Sequence, residues 1–158
     1  AFMNDRRIRV SKRTRLEECL LSTGFPFRPE DDFNKYLSLM GDVMQRTTGL
    51  RRPGAAALDL AYVAAGFSDG FFEIGLKPWD MAAGALLVTE AGGLVSNFTG
   101  EGPFLEHQEC LAASPRIYAQ LVPITTKYSK FASADDKRVA STAAKTLSLS
   151  RQAPDAPL

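Results

Sequence analysis

Four places in the sequence combine residue types that could do chemistry. Asp80 follows Trp79 at the start of the apolar stretch 78–92, which reads as a helix. A carboxylate there lies near the positive end of the helix dipole and beside free N–H groups. It is either a first-turn acid serving the helix or a ligand for a hard cation. Mg²⁺ in particular takes oxygen donors, commonly one or two carboxylates with water and phosphate. Glu73 interrupts the apolar run Phe71-Phe72-Glu73-Ile74-Gly75. A lone acid in a strand is either on its outward face or aimed at a ligand. Arg51-Arg52-Pro53-Gly54-Ala55-Ala56 places glycine and small residues at a helix start, where an anion or a closely approaching ligand fits. Residues 5–15 carry six basic groups and one acid. They form either a solvated edge strand or a surface for RNA or another phosphate-rich partner.

The remaining polar candidates read as structural. His107, the single histidine, falls in a polar turn and is expected at the surface. Asp59 lies within an apolar helix and is expected to hydrogen-bond a neighbouring element. Cys19 and Cys110 have no basic partner nearby and no metal-ligand spacing, so they read as buried, reduced thiols of a cytoplasmic protein. The sequence has no P-loop, no dinucleotide-binding glycine pattern, no zinc spacing and no serine elbow.

The elements that must position these groups follow from periodicity. Residues 7–10 alternate as a short strand and residues 18–23 form an apolar strand. The loop 24–29 holds two prolines and a glycine, which leaves little backbone freedom. Apolar residues from Phe33 to Met44 recur every three or four positions behind a cluster of acids, the pattern of an amphipathic helix. Residues 47–53 read as a connection, 54–66 as a buried helix, 70–74 as a strand and 78–92 as a helix. Strands follow at 94–98 and 110–113, and a last helix begins at Ser114-Pro115 and is interrupted at Pro123. From Ala132 onward aromatics vanish and Ser, Ala, Thr, Lys and Asp dominate, so 132–158 is expected to be a disordered tail. Strand–helix alternation argues an α/β layered fold. A chain of 158 residues with 45% hydrophobic side chains supports one core, and a net charge of +1 excludes a strongly polycationic or polyanionic protein. No apolar run reaches the roughly 18 residues that would cross a bilayer, so no membrane partner is expected.

Trp79-Asp80-Met81-Ala82-Ala83-Gly84, continuing Leu86-Leu87-Val88-Thr89-Glu90-Ala91-Gly92-Gly93, resembles the second signature of the inositol monophosphatase family. The stretches 54–66, 69–75 and 23–27 resemble the bacterial extragenic-suppressor branch of that family, and the likeness runs from about Phe2 to Tyr128. The resemblance implies the C-terminal half of a layered α-β-α-β-α fold, with a mixed sheet flanked by helices, over residues 1–131. It implies a Mg²⁺-dependent phosphomonoesterase acting on myo-inositol monophosphate. Asp80 matches the family's metal-ligating aspartate and Glu73 the glutamate that hydrogen-bonds inositol hydroxyls. Gly54, Ala55 and Ala56 match the turn lining the inositol pocket, where position 55 more often carries Ser or Thr. Thr23 and Gly24 match a segment near the substrate.

The family's first signature, Asp-Pro-Ile/Leu-Asp-Gly-Thr, supplies most of its metal ligands and has no counterpart here; Asp69-Gly70 is the sole Asp-Gly. The isolated chain is therefore expected to be inactive while its parent is the enzyme, commonly a homodimer in this family. It is also expected to expose apolar surface that the other half would cover. The suppressor branch further resembles factors in ribosomal RNA transcription antitermination, which makes RNA or transcription factors alternative partners. A non-functional fragment is the third reading.

Overall fold

A computed structural model describes residues 1–149. Its centre is a five-stranded mixed sheet. In chain order the elements are the two-residue strands β1 (Phe2–Met3) and β2 (Arg6–Arg7), then β3 (Leu20–Thr23), α1 (Phe33–Met44), β4 (Gly49–Arg51), α2 (Ala56–Ala65) and β5 (Gly70–Ile74). They continue with α3 (Pro78–Glu90), β6 (Leu94–Ser96), α4 (Phe104–His107), β7 (Glu109–Ala113), α5 (Pro115–Thr125) and α6 (Ala134–Leu149). The sheet order is β4-β3-β5-β7-β6. Strands β3, β4 and β5 run parallel, while β7 is antiparallel to both β5 and β6.

The alternation of strand side chains divides the interior in two. Leu21, Phe72, Leu111 and Ala113 join Leu39 and Val43 of α1 and Ile117, Leu121 and Ile124 of α5 in one cluster. Phe71, Cys110 and Ala112 join Leu60 and Val63 of α2 and Met81 and Val88 of α3 in the other. Helices thus cover both faces, as the α/β reading expects. Glu109, which the sequence reading did not single out, ties several elements together. Its buried carboxylate accepts from Ser129 Oγ at 2.7 Å, Lys130 N at 2.9 Å and Phe98 N at 3.4 Å.

Several expectations need correction. The strand expected over 7–10 is instead the tight β1–β2 hairpin, turned by Asn4 and Asp5 at positive φ, and Ile8 and Val10 pack onto the α2–α3 core. Within the expected connection 47–53, Gly49–Arg51 pairs with β3 as β4; three residues with one glycine carry too short a pattern to read. Pro123 does not stop α5, because it removes one donor near the helix end while Ile117, Leu121 and Ile124 are buried on one stripe. The tail expected to be disordered over 132–158 holds helix α6 from Ala134 to Leu149. Ser133 and Asp136 cap its start reciprocally, and Ala140 and Ala144, one turn apart, are buried. Small side chains at that spacing let the helix sit close to its neighbours without a large apolar residue to announce it. Residues 150–158 lie outside the described residues.

Helices α2 and α3 approach so closely that a Cβ on Gly84 would stand 2.5 Å from Leu60 Cβ. Their outer face is apolar and uncovered, with Trp79 77%, Leu86 62% and Leu58 54% exposed. Two outcomes follow. Gly84→Val should lower stability by about 2 kcal/mol in urea unfolding, through forced separation of the helices. The chain should also self-associate in a sedimentation series of rising concentration, and Leu86→Lys should reduce that association.

Candidate functional site

Glu73, Asp80 and the start of α2 meet in one cleft of about 320 Å³. The sheet and two helix starts build it. Glu73 shares the parity of Phe71, which turns it toward the α2–α3 side at the end of β5. Gly24, just past the end of β3, lies beneath the Glu73 carboxylate, where a Cβ would come within 2.0 Å of Oε1. Glycine is therefore the residue that leaves room for this acid. Ile74-Gly75 follows, with Gly75 at φ +74° turning the chain toward α3.

Asp80 occupies the third position of α3. Its Oδ2 accepts from Lys77 N–H at 2.8 Å, and its own N–H donates to Lys77 O at 2.9 Å. The two readings of Asp80 are thus compatible: one oxygen caps the helix, while no hydrogen bond engages Oδ1 among the described residues. Helix α2 begins after Gly54, which has φ +98°, and Ala55 at the cap position offers no side-chain bond to the first-turn N–H groups. The Leu58 N–H donates to Ala55 O at 2.9 Å, so the Ala56 and Ala57 N–H groups are the first-turn donors left for a ligand oxygen at the cleft wall.

The loop 24–29 and Arg52 complete the wall. The Arg52 guanidinium sits 4.9 Å from the Phe25 ring centroid and 5.2 Å from that of Phe27, and the two rings meet edge to face. Arg28 N–H donates to Asp31 Oδ2 at 3.2 Å. The sequence reading did not assign Phe25, Phe27, Arg28 or Asp31 to the site; two aromatics flanking a proline were the available signal. Thr23 does not line the cleft. Its hydroxyl donates to Phe72 O at 2.7 Å and shares a hydrogen bond with the Tyr36 hydroxyl, so it fastens β3 to β5 and α1.

Burial pushes the Glu73 carboxyl up to about 7. The charges of Asp59 and Asp80 push the same way, and Arg52 and Arg28 pull back. Asp59, expected to bond a neighbour, is 1% exposed; burial raises its carboxyl, while the Ser22 hydroxyl of β3, the Ala55 backbone and the charge of Arg52 pull back. His107, expected at the surface, is half-buried: its ring stacks on Phe131 at 3.6 Å and its Nδ1 pairs with Asn97 Nδ2. Cys19 and Cys110 are buried and unbonded to each other, in line with the sequence reading. Of the basic segment, Arg13 pairs with Asp69 and Arg15 with Glu17 and Glu18, so part of its charge is used internally. Among the described residues no three His, Cys, Asp or Glu side chains cluster as a metal site, and no helix is long and apolar enough to cross a membrane.

A mixed sheet between helix pairs, with an acid at a strand end and another in the first turn of an apolar helix, makes the chain an α/β layered protein with a carboxylate-lined cleft. The chain belongs to the inositol monophosphatase family, whose sequence profile it matches over residues 1–130. It is 54% identical over 124 residues to the Nus factor SuhB of Pseudomonas aeruginosa, covering 77% of this chain and 46% of that protein. Against the Nus factor SuhB of Escherichia coli it is 49% identical over 117 residues, covering 74% and 44%. The solved extragenic suppressor protein SuhB of Bartonella henselae superposes with a TM-score of 0.75 at 47% identity, over 78% of this chain and 47% of that one. The IMPase of Thermotoga maritima does so with a TM-score of 0.71 at 35% identity, over 80% and 48%. The chain spans about half the length of these relatives.

A carboxyl whose folded-state value lies above its unfolded value of 4.5 holds its proton more tightly in the native state. Stability therefore falls as pH rises from about 4.5 through about 7. Chemical denaturation at pH 5 and pH 8 should show Glu73→Gln removing a pH-dependent loss of roughly 2 kcal/mol.

Proposed function

We propose that this chain supplies the polyol-binding wall and one metal-binding carboxylate of a Mg²⁺-dependent phosphomonoesterase that hydrolyses myo-inositol monophosphate. The observation that carries the reading is the convergence of Glu73, Asp80 and the uncapped start of α2 on one cleft. The family membership supports it, as does the likeness of Trp79-Asp80-Met81-Ala82-Ala83-Gly84 to the family's second signature.

The donor set suits the metal. Asp80 is a hard oxygen ligand with Oδ1 outside the helix cap, and Mg²⁺ commonly uses one or two protein carboxylates. When bound, the metal would activate water and stabilise the leaving oxygen. This chain's own groups bind and orient. Ionised Glu73 accepts hydrogen bonds from two hydroxyls of the polyol, and the first-turn N–H groups of α2, beside Gly54, Ala55 and Ala56, donate to a substrate oxygen. Ala55 brings no hydroxyl of its own, so contact at that position rests on the backbone. Arg52, held against Phe25 and Phe27, keeps positive potential at the cleft and counteracts the mutual repulsion of Glu73 and Asp80. One carboxylate is too few for a two-metal centre, so turnover requires ligands beyond those described here. In this reading the working enzyme is a cytoplasmic homodimer of the whole protein.

A second reading is favoured by the relatives named Nus factors: a role in transcription through RNA or a protein partner, using the exposed arginines of β2. It needs no metal ligands. Salt-dependent RNA affinity is its signature.

Phosphate release from myo-inositol 1-phosphate with Mg²⁺ tests the first reading. The isolated chain should release none. The parent protein should turn over and lose about 100-fold or more in kcat/KM with Asp80→Asn, while Glu73→Gln should raise KM about tenfold with a smaller change in kcat. Undiminished turnover by Asp80→Asn would overturn the assignment.

A further inference from the structure

The turn before α1, the first turns of α1 itself, the α4–β7 junction and residues 128–131 enclose a second cavity, of about 260 Å³. It is at the small end of ligand pockets. It shares Arg28, Asp31, Ile74 and Gly75 with the Glu73–Asp80 cleft, but neither Glu73 nor Asp80 lines it. Its base is apolar, from Leu39 and Phe98, both fully buried, to Ile74. One wall is flat, because the His107 ring stacks on Phe131 at 3.6 Å with the planes 5° apart.

Charges of both signs line the rest. Lys35 of α1 is half-buried, and Lys130 stands exposed at the opening. Burial holds the Lys35 amine below its ordinary value, and the charges of Lys137 and Lys130 push the same way. Glu109 and Asp32 pull back, but both are engaged elsewhere. Glu109 accepts from Ser129 Oγ and from the Lys130 and Phe98 N–H groups, and Asp32 Oδ1 accepts from Lys35 N at 3.0 Å. Glu30, Asp31 and Glu106 complete the negative side. Among the described residues, no ion pair joins any charged group of this lining to another. Opposite charges are thus held apart across one half-apolar space, where a partly desolvated charge gains most from a partner.

We propose that this cavity binds a small zwitterion, an α-amino acid with an apolar side chain. The carboxylate would take N–H donors from Lys35 and Lys130, and the ammonium would donate to Asp31 and Glu106. Only three residues separate Asp31 from Lys35 at the start of α1, which suits a ligand whose two charges share one carbon. The side chain would cover Leu39, Phe98 and Ile74 beside the flat His107–Phe131 wall. A simple anion would face the acids with nothing to offer them, and a simple cation would face the two lysines. A ligand of either single sign is therefore disfavoured by half of the lining. The site calls for neither metal nor phosphate, and it stands whether or not the phosphatase reading does.

L-Phenylalanine is the probe, titrated at neutral pH into the isotope-labelled chain and followed by amide chemical shifts. Saturable shifts confined to residues 28–36, 74–75, 106–109 and 128–131 are expected. Phenylpropionate, which lacks the ammonium, and phenethylamine, which lacks the carboxylate, should each bind roughly tenfold more weakly. Lys35→Met keeps the stem and removes the charge. It should weaken phenylalanine and phenylpropionate several-fold and spare phenethylamine, while Asp31→Asn should weaken phenylalanine and phenethylamine and spare phenylpropionate. Absence of saturable shifts in the folded chain, an isostere that binds as tightly as phenylalanine, or undiminished phenylalanine affinity in Lys35→Met would each overturn the proposal. Should Asp31→Asn fail to fold, Glu106→Gln takes its place.

Discussion

Strand β5 is the constraint on which the rest of the structure depends. It is hydrogen-bonded to β3 on one side and β7 on the other, so its register is fixed from both directions. A period of two then leaves each residue one choice of face. Phe72 goes to the α1–α5 core and Phe71 to the α2–α3 core. Glu73 must follow Phe71, which brings a carboxylate to the cleft end of a buried sheet. A shift of one residue would send both phenylalanines to the wrong core and the acid away from Asp80.

This placement sets the electrostatics of the cleft. Glu73 carries the cost of burial, and the charges of Asp59 and Asp80 add to it. The arrangement persists because other groups relieve part of the strain. Gly24 leaves space for the carboxylate, Arg52 and Arg28 bring positive charge near it, and Asp80 is partly satisfied by the first turn of its own helix. A site assembled from separate elements in this way depends on their mutual packing. Leu60 against Gly84 therefore bears on the geometry of the cleft although neither residue touches it.

The sequence made long periodic elements legible: α1, α2, β5 and α3 stand close to where spacing puts them. Asp80 and Glu73 were legible as candidates because each is a lone acid breaking an apolar pattern, and the family likeness proposes a role for each. What escaped was set by tertiary contact. Strand β4 has no pattern of its own and exists because β3 pairs with it. Helix α6 buries alanines, which composition alone does not distinguish from a solvated segment. The role of Glu109 depends on three donors well removed from it in sequence, and the burial of Asp59 on the Ser22 strand that packs against its helix. Neither can be written as a spacing.

The shortness of the two outermost strands has a consequence of its own. Both β4 and β6 have three residues; β4 ends in Arg51 with Pro53 just beyond, and β6 gives way to a turn at Asn97. Such edges offer an incoming strand few unpaired amides, bulky charge and a missing donor, all of which discourage sheet extension between molecules. Sheet extension is therefore a poor route to assembly for this half-domain, and the apolar side chains exposed on α2 and α3 offer contact of another kind, face to face and without a shared ladder.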